Sequence, residues 1–172
     1  VALGNRTAAI LDQKTGELWV VPAQGVSSFE AEVNEPAAEL GAGADVAVAK
    51  DGTVFGLAPE RGEVVTVPVD NEGEALDASA ASVGELDASA KPTITAVGRT
   101  PVVLDRSAGV VTSPGGIRTE IPGADKAVLQ QASENTDAVA IATTNALVSV
   151  PLDGGEPTEV DAGGTGTAEG KF

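Results

Sequence analysis

Histidine, cysteine, methionine and tyrosine are all missing from this chain of 172 residues. Without histidine there is no Ser-His-Asp triad and no imidazole metal ligand. Without cysteine there is no disulfide, no thiolate nucleophile and no sulfur-bound metal, although this leaves the redox compartment open. Aromatic residues make up only 2%, namely Trp19, Phe29, Phe55 and Phe172. A core must therefore be filled by Val, Leu, Ile and Ala, and the 42% hydrophobic content is enough to supply one. No apolar run approaches the ~20 residues that span a bilayer, and no signal peptide is visible. The chain opens on Val1 and closes on Gly170-Lys171-Phe172, which reads as a piece of a longer protein whose targeting signal lies elsewhere.

Positive charge is also scarce. Ten basic residues face 26 acidic ones, a net charge of −16. Such a surface repels phosphate backbones and anionic lipid headgroups, so nucleic acid and membrane insertion are excluded as expectations for this segment. Arg6, Lys50, Arg99, Arg106 and Arg118 are scattered singly and form no nucleic-acid stripe.

What the chain does contain is a repeat. A β-rich run ending in proline occurs as Glu17-Leu18-Trp19-Val20-Val21-Pro22 and as Glu63-Val64-Val65-Thr66-Val67-Pro68. It returns as Val110-Val111-Thr112-Ser113-Pro114 and as Ala146-Leu147-Val148-Ser149-Val150-Pro151. Proline lacks a ladder donor and belongs at a strand end. A turn residue precedes each run: Gly16, Gly62, Gly109 and Asn145. Before each turn lies another apolar run, at 7–11, 53–58, 101–104 and 138–143, which makes each pair a hairpin. A third run comes earlier still, at 1–3, 45–49, 93–97 and 127–131. Weaker outer strands are expected at 29–33, around 74–83, at 117–121 and at 158–160.

Four strands in units of ~40–45 residues match a propeller blade. The expected fold is all-β and β-propeller-like, with about four tandem four-stranded antiparallel blades; a β-sandwich is the alternative. The units fall roughly at 1–40, 41–90, 91–124 and 125–163. Residues 164–172 form a Gly-rich flexible tail or the start of a further unit. Runs such as 18–21 and 64–67 are nearly continuous, as expected when both faces of a strand are covered. Val46-Ala47-Val48-Ala49 is rich in small residues, which suits strands converging on an axis. Residues 125–134 could instead form a short helix behind Asp125. Leu-Asp-Ala-Ser-Ala occurs twice, at 76–80 and 86–90, in an Ala-rich acidic connection read as loop or irregular outer strand. Four units either close a ring or form an open arc, whose terminal units would expose an apolar face, with Ile10, Leu18 and Val20 on one side, and could pair with another copy.

Carboxylates are the only plentiful catalytic material. Asp12, Asp51, Asp105 and Asp153 recur at turns, where aspartate bonds its own backbone two residues on. Asp70-Asn71-Glu72-Gly73-Glu74 has oxygen ligands but not the spacing of an EF-hand loop, and reads as a solvated hairpin. Gly41-Ala42-Gly43-Ala44-Asp45 enters a strand rather than a helix, so it does not cradle phosphate. Trp19 sits inside an apolar run and reads as core rather than as a sugar-stacking platform. No catalytic, cofactor-binding or metal-binding residue is assigned, and no cofactor is expected.

The segments Asp12-x3-Gly16-Glu17-Leu18-Trp19-Val20, Asp51-Gly52-Thr53-Val54-Phe55-Gly56-Leu57 and Pro101-Val102-Val103-Leu104-Asp105-Arg106 carry a resemblance. They resemble the propeller-like extracellular region of large membrane-anchored actinobacterial proteins with fibronectin type III domains further along. The Ala-rich, acidic, Cys-free composition is similar too, and the resemblance covers essentially the whole chain. It implies an extracellular or cell-surface location and a binding or scaffolding role toward a protein or a cell-wall polysaccharide. The rival expectations are a carboxylate-dependent propeller enzyme (glycosidase, lyase or lactonase) and a small-ligand sensor.

Overall fold

Each of the four proline-terminated runs is the third strand of its own sheet. The computed structural model describes residues 1–134 and 137–161. The first sheet holds β1 (Ala2–Leu3), β2 (Thr7–Leu11), β3 (Glu17–Pro22) and β4 (Ala38–Glu39). The second holds β5 (Asp45–Val48), β6 (Val54–Ala58), β7 (Glu63–Val67) and β8 (Ser79–Ser82). The third holds β9 (Thr93–Val97), β10 (Thr100–Asp105), β11 (Val110–Ser113) and β12 (Ile117–Glu120). The fourth holds β13 (Val128–Leu129), β14 (Ala138–Ala142), β15 (Ala146–Pro151) and β16 (Thr158–Asp161). All pairings within the sheets are antiparallel and between consecutive strands, so each sheet is a meander. Strand accounts for 46% of the structure and helix for 11%, and the helical turns described are all of the 3₁₀ type. The protein is an all-β, propeller-like array of four blades.

The prolines occupy matching places. Pro22 and Pro151 are the last residues of β3 and β15, and Pro68 and Pro114 directly follow β7 and β11. A second repeated device holds the outer strands. Gly16, Gly62 and Gly109 all have positive φ (78°, 60° and 66°), which a residue with a Cβ adopts only with strain. Their carbonyls accept N–H bonds from Leu40, Val83 and Ile121, each just beyond the fourth strand. The turn that joins strands two and three thus also anchors strand four.

Three apolar cores join consecutive sheets. Ala9, Leu18 and Val20 meet Val46, Val54 and Val67 between sheets one and two. Ala47, Phe55, Leu57 and Val64 meet Ile94, Ala96 and Val103 between sheets two and three. Val97, Val102, Leu104 and Val111 meet Leu129, Val139, Ile141 and Val148 between sheets three and four. Among the described residues no core joins sheet four to sheet one. The continuous apolar runs are explained by this stacking: all five residues of β6 are buried, because each face of its sheet meets a neighbour. In β14 and β15 burial alternates instead, with Val139, Ile141, Val148 and Val150 covered and Leu147 and Ser149 exposed.

Several expectations change. The first outer strand is Ala38–Glu39, not 29–33, because Phe29 is spent elsewhere: its ring lies edge-on to Trp19 with centroids 5.7 Å apart. Ile10, Leu18 and Val20 do not share a face. Leu18 and Val20 point into the core with sheet two, whereas Ile10 pairs across the ladder with Trp19 on the opposite side. Residues 125–134 are not a helix; a single 3₁₀ turn at Ala124–Lys126 leads into β13. The twin pentapeptides differ from each other. Residues 79–80 of the first copy enter β8, while the second forms a 3₁₀ turn at Ala88–Ala90 capped by Asp87. The expected tail at 164–172 lies outside the described residues.

Candidate functional site

The recurring aspartates are engaged by their own turns. Asp12 Oδ1 accepts the Lys14 N–H at 2.7 Å, Asp51 Oδ1 that of Thr53 at 3.0 Å, and Asp153 Oδ1 that of Gly155 at 3.0 Å. Asp105 is buried and accepts three bonds, from the Ser107 N–H, the Ala108 N–H and the Ser107 hydroxyl. The four lie in hairpins of four different sheets or their borders and form no cluster. Asp70 likewise accepts from the Glu72 and Glu74 N–H groups, which turns its loop back on itself rather than outward around an ion. Among the described residues no group of three acidic side chains is placed to hold a metal.

The other singled-out residues are equally local. Trp19 is 6% exposed, and its indole N–H donates to the Asn34 carbonyl at 3.0 Å, so its face is closed to a sugar. Gly41 and Gly43 take positive φ (81° and 72°) in the turn that delivers β5. Arg99 pairs with Asp51 at 2.8 Å, and Arg6 donates to the Asn71 carbonyl. The Arg106 guanidinium donates to the Ala127 carbonyl at 2.6 Å and to that of Lys91 at 3.2 Å. It is thereby occupied with tying the start of sheet four to the start of sheet three.

Among the described residues an axial groove of about 640 Å³ is bounded by the first strands of sheets one, two and three and by residues 131–132. Its apolar walls are the small residues Ala2, Val46, Ala47, Val48, Ala49 and Ala132 beside the larger Leu3 and Leu11, and polar surface predominates in its lining. Asn5, Gln13, Lys50 and Gln131 bring uncharged amides and one ammonium, and Asp45 and Thr95 complete its polar lining. Asp45 Oδ2 accepts the Ile94 N–H at 3.0 Å, so the groove's one carboxylate clamps sheet two to sheet three. Thr95 Oγ1 donates to the Gln130 carbonyl at 2.9 Å.

One structural element here was not foreseen. Residues 130–133 leave β13 and run along the free edge of β9, with a parallel bridge between Val97 and Ser133. Ser133 N–H donates to the Ala96 carbonyl at 3.0 Å, and Gly98 N–H to the Ser133 carbonyl at 2.8 Å. Gln130 completes the join to β14 with its side chain, whose Oε1 accepts the Ala140 N–H at 2.7 Å. No pattern of hydrophobicity marks such a segment, because its bonds run through backbone and an amide.

Compared with known proteins, the chain matches no protein-family model and no curated protein.

Proposed function

We propose that this chain is a non-catalytic binding or scaffolding module of a larger exported cell-envelope protein. The observation that carries the reading is the state of its carboxylates. Acid–base catalysis needs carboxyl groups in reach of one substrate, with environments that push their pKa values apart. Here the recurring aspartates accept bonds from their own turns, and Asp45 is engaged by Ile94. The resemblance to actinobacterial surface proteins supports the exported setting, and the acidic surface supports solubility there. Pairing of two copies belongs to the same reading. Among the described residues the outward positions of β14 and β15 carry Ala138, Ala140, Ala142, Leu147, Ser149 and Pro151, an uncharged patch on an otherwise acidic chain.

The test joins binding to turnover. The protein is incubated with an insoluble actinobacterial cell-wall fraction and, separately, with ester, glycoside and lactone panels. Retention on the wall fraction with background turnover is expected. Turnover that disappears in Asp45→Asn would contradict the reading. A small-ligand sensor is the second reading, favoured by a groove volume within the ~300–1,000 Å³ of ligand pockets.

A further inference from the structure

We infer that the axial groove binds an extended peptide by adding it as a strand to the inner edge of β5. The inference rests on the binding-module reading and names the partner class. It starts from the ladder alternation of the first strands. The Ala49 N–H bonds the Thr53 carbonyl at 2.8 Å, so Asp45, Ala47 and Ala49 turn their main-chain groups toward β6. Val46 and Val48 then turn theirs the other way, into the groove. In the first sheet Gly4 N–H bonds the Thr7 carbonyl at 2.8 Å, which directs the main-chain groups of Leu3 toward the axis by the same rule. Two short rows of strand-edge donors and acceptors thus border one cavity.

The third sheet shows what such an edge accepts. On β9 the corresponding groups are already engaged by the chain itself. Ile94 N–H meets the Asp45 carboxylate, and Ala96 and Gly98 meet the backbone of Ser133. An extended segment therefore already lies against one first strand, and the edge of β5 is its vacant counterpart. Main-chain rows at strand spacing recognise a peptide backbone rather than a sugar or a flat ring. The asparagine and glutamine side chains at positions 5, 13 and 131 offer further amide bonds around it.

Wall and charge narrow the peptide. The apolar walls at Ala2, Val46, Ala47 and Val48 suit small apolar side chains such as Ala and Val on the bound segment. The net charge of −16 favours basic residues at the ends of the bound segment. The four residues of β5 span about 13 Å at strand rise, so the paired core is three to four residues long.

An immobilised array of decapeptides built from Ala, Ser, Thr and Val and ended with Lys provides the probe. The full chain should be retained by a subset, and the amide resonances of Val46 and Val48 should shift on titration. N-methylation scanned along a retained peptide gives the decisive pattern. Methyl groups on alternate residues should weaken binding about tenfold, and those between them less than about twofold, since only every second N–H faces the strand. Val48→Pro removes a donor that β6 does not use and should weaken retention to a similar extent. The methyl scan leaves the protein untouched and stands even if that variant does not fold. Equal tolerance of methylation at all positions, or unmoved Val46 and Val48 amides, would overturn the inference. Failure of every peptide to bind overturns it too, while retention on the wall fraction still supports the module reading.

Discussion

Among the described residues the first and fourth sheets each have a face with no neighbouring sheet, and the chain treats the two differently. On sheet one the segment between β3 and β4 folds back over the outer face. The 3₁₀ turn Ala23–Ser28 begins it, Phe29 packs edge-on against Trp19, and the Asn34 carbonyl takes the indole N–H. The outward faces of β2 and β3, with Ala8 fully buried and Trp19 nearly so, are thereby closed. On sheet four the outward positions of β14 and β15 carry Ala, Leu, Ser and Pro, and Leu147 stays 42% exposed. The lesson is general to stacked repeats. In such an array a sheet face without a neighbour is either covered by its own chain or left plain, and among the described residues sheet one shows the first solution and sheet four the second.

The largest expected effect tests the cap. Trp19→Ala removes a buried indole and its hydrogen bond and should cost about 3–5 kcal/mol in denaturant unfolding. Leu147→Ala on the opposite end should cost less than ~1 kcal/mol, since that side chain is part-exposed already. Equal losses would remove the distinction between the two ends.

The hairpin turns give the next contrast. At Gly16 an added Cβ would run into the backbone of Gly41, on top of the strain of φ +78°. Gly16→Ala should therefore cost about 2–3 kcal/mol, more than the ~1–2 expected from the left-handed conformation alone. The equivalent turn of sheet four does without glycine: Thr143 N–H and its hydroxyl bond the Ala146 carbonyl at 2.9 and 3.1 Å. Asn145→Ala should fall within ~0.5 kcal/mol, measured by the same thermal or denaturant midpoints.

Bare and covered faces should also differ in association. If copies pair through sheet four, sedimentation across a dilution series at moderate salt will show a concentration-dependent mass that Leu147→Glu abolishes. A charge added to the segment that covers sheet one, at the exposed Val33 (Val33→Glu), should leave the mass unchanged.

The smallest effect lies between the two ends, at the second Leu-Asp-Ala-Ser-Ala. The Ser89 hydroxyl at 2.6 Å, then its N–H at 2.9 Å, hold the Asp87 carboxyl below its ordinary value of 3.8. Its contribution to stability is therefore present above pH 3.8 and is lost as pH falls through the lowered folded value. Carboxyl NMR titration should show that low midpoint, and Ser89→Ala should bring it back toward 3.8.

Much of this architecture is written in local patterns, and the reasons it stops there are physical. The proline-terminated runs and their turn residues mark third strands correctly because proline's missing donor and glycine's positive φ are properties of single residues. The turn aspartates are readable for the same reason. The alternation Ala138-Val139-Ala140-Ile141-Ala142 even carries the one-sided burial of sheet four. Phe29 to Val33, by contrast, looks like an outer strand because it alternates, and only the position of Trp19 in space shows that Phe29 serves as a cover. Ile10 and Leu18 look equivalent until register assigns them to opposite faces. The twin pentapeptides make the same point most sharply, since one sequence serves as strand and as turn under different neighbours. In the axial groove the unforeseen parts, Asp45 on Ile94 and Ser133 on β9, act through backbone groups that every residue possesses.

Native-state hydrogen exchange, read strand by strand, tests most directly that the array is stacked through three cores and that, among the described residues, sheet four has one uncovered face. The amides of β6 and β10, in sheets covered on both faces, should exchange slowest, and those of β2 and β3 should follow under their cap. Those of β14 and β15 should be measurably faster. Protection of β14 and β15 equal to that of β6 and β10, in dilute monomer, would contradict the account.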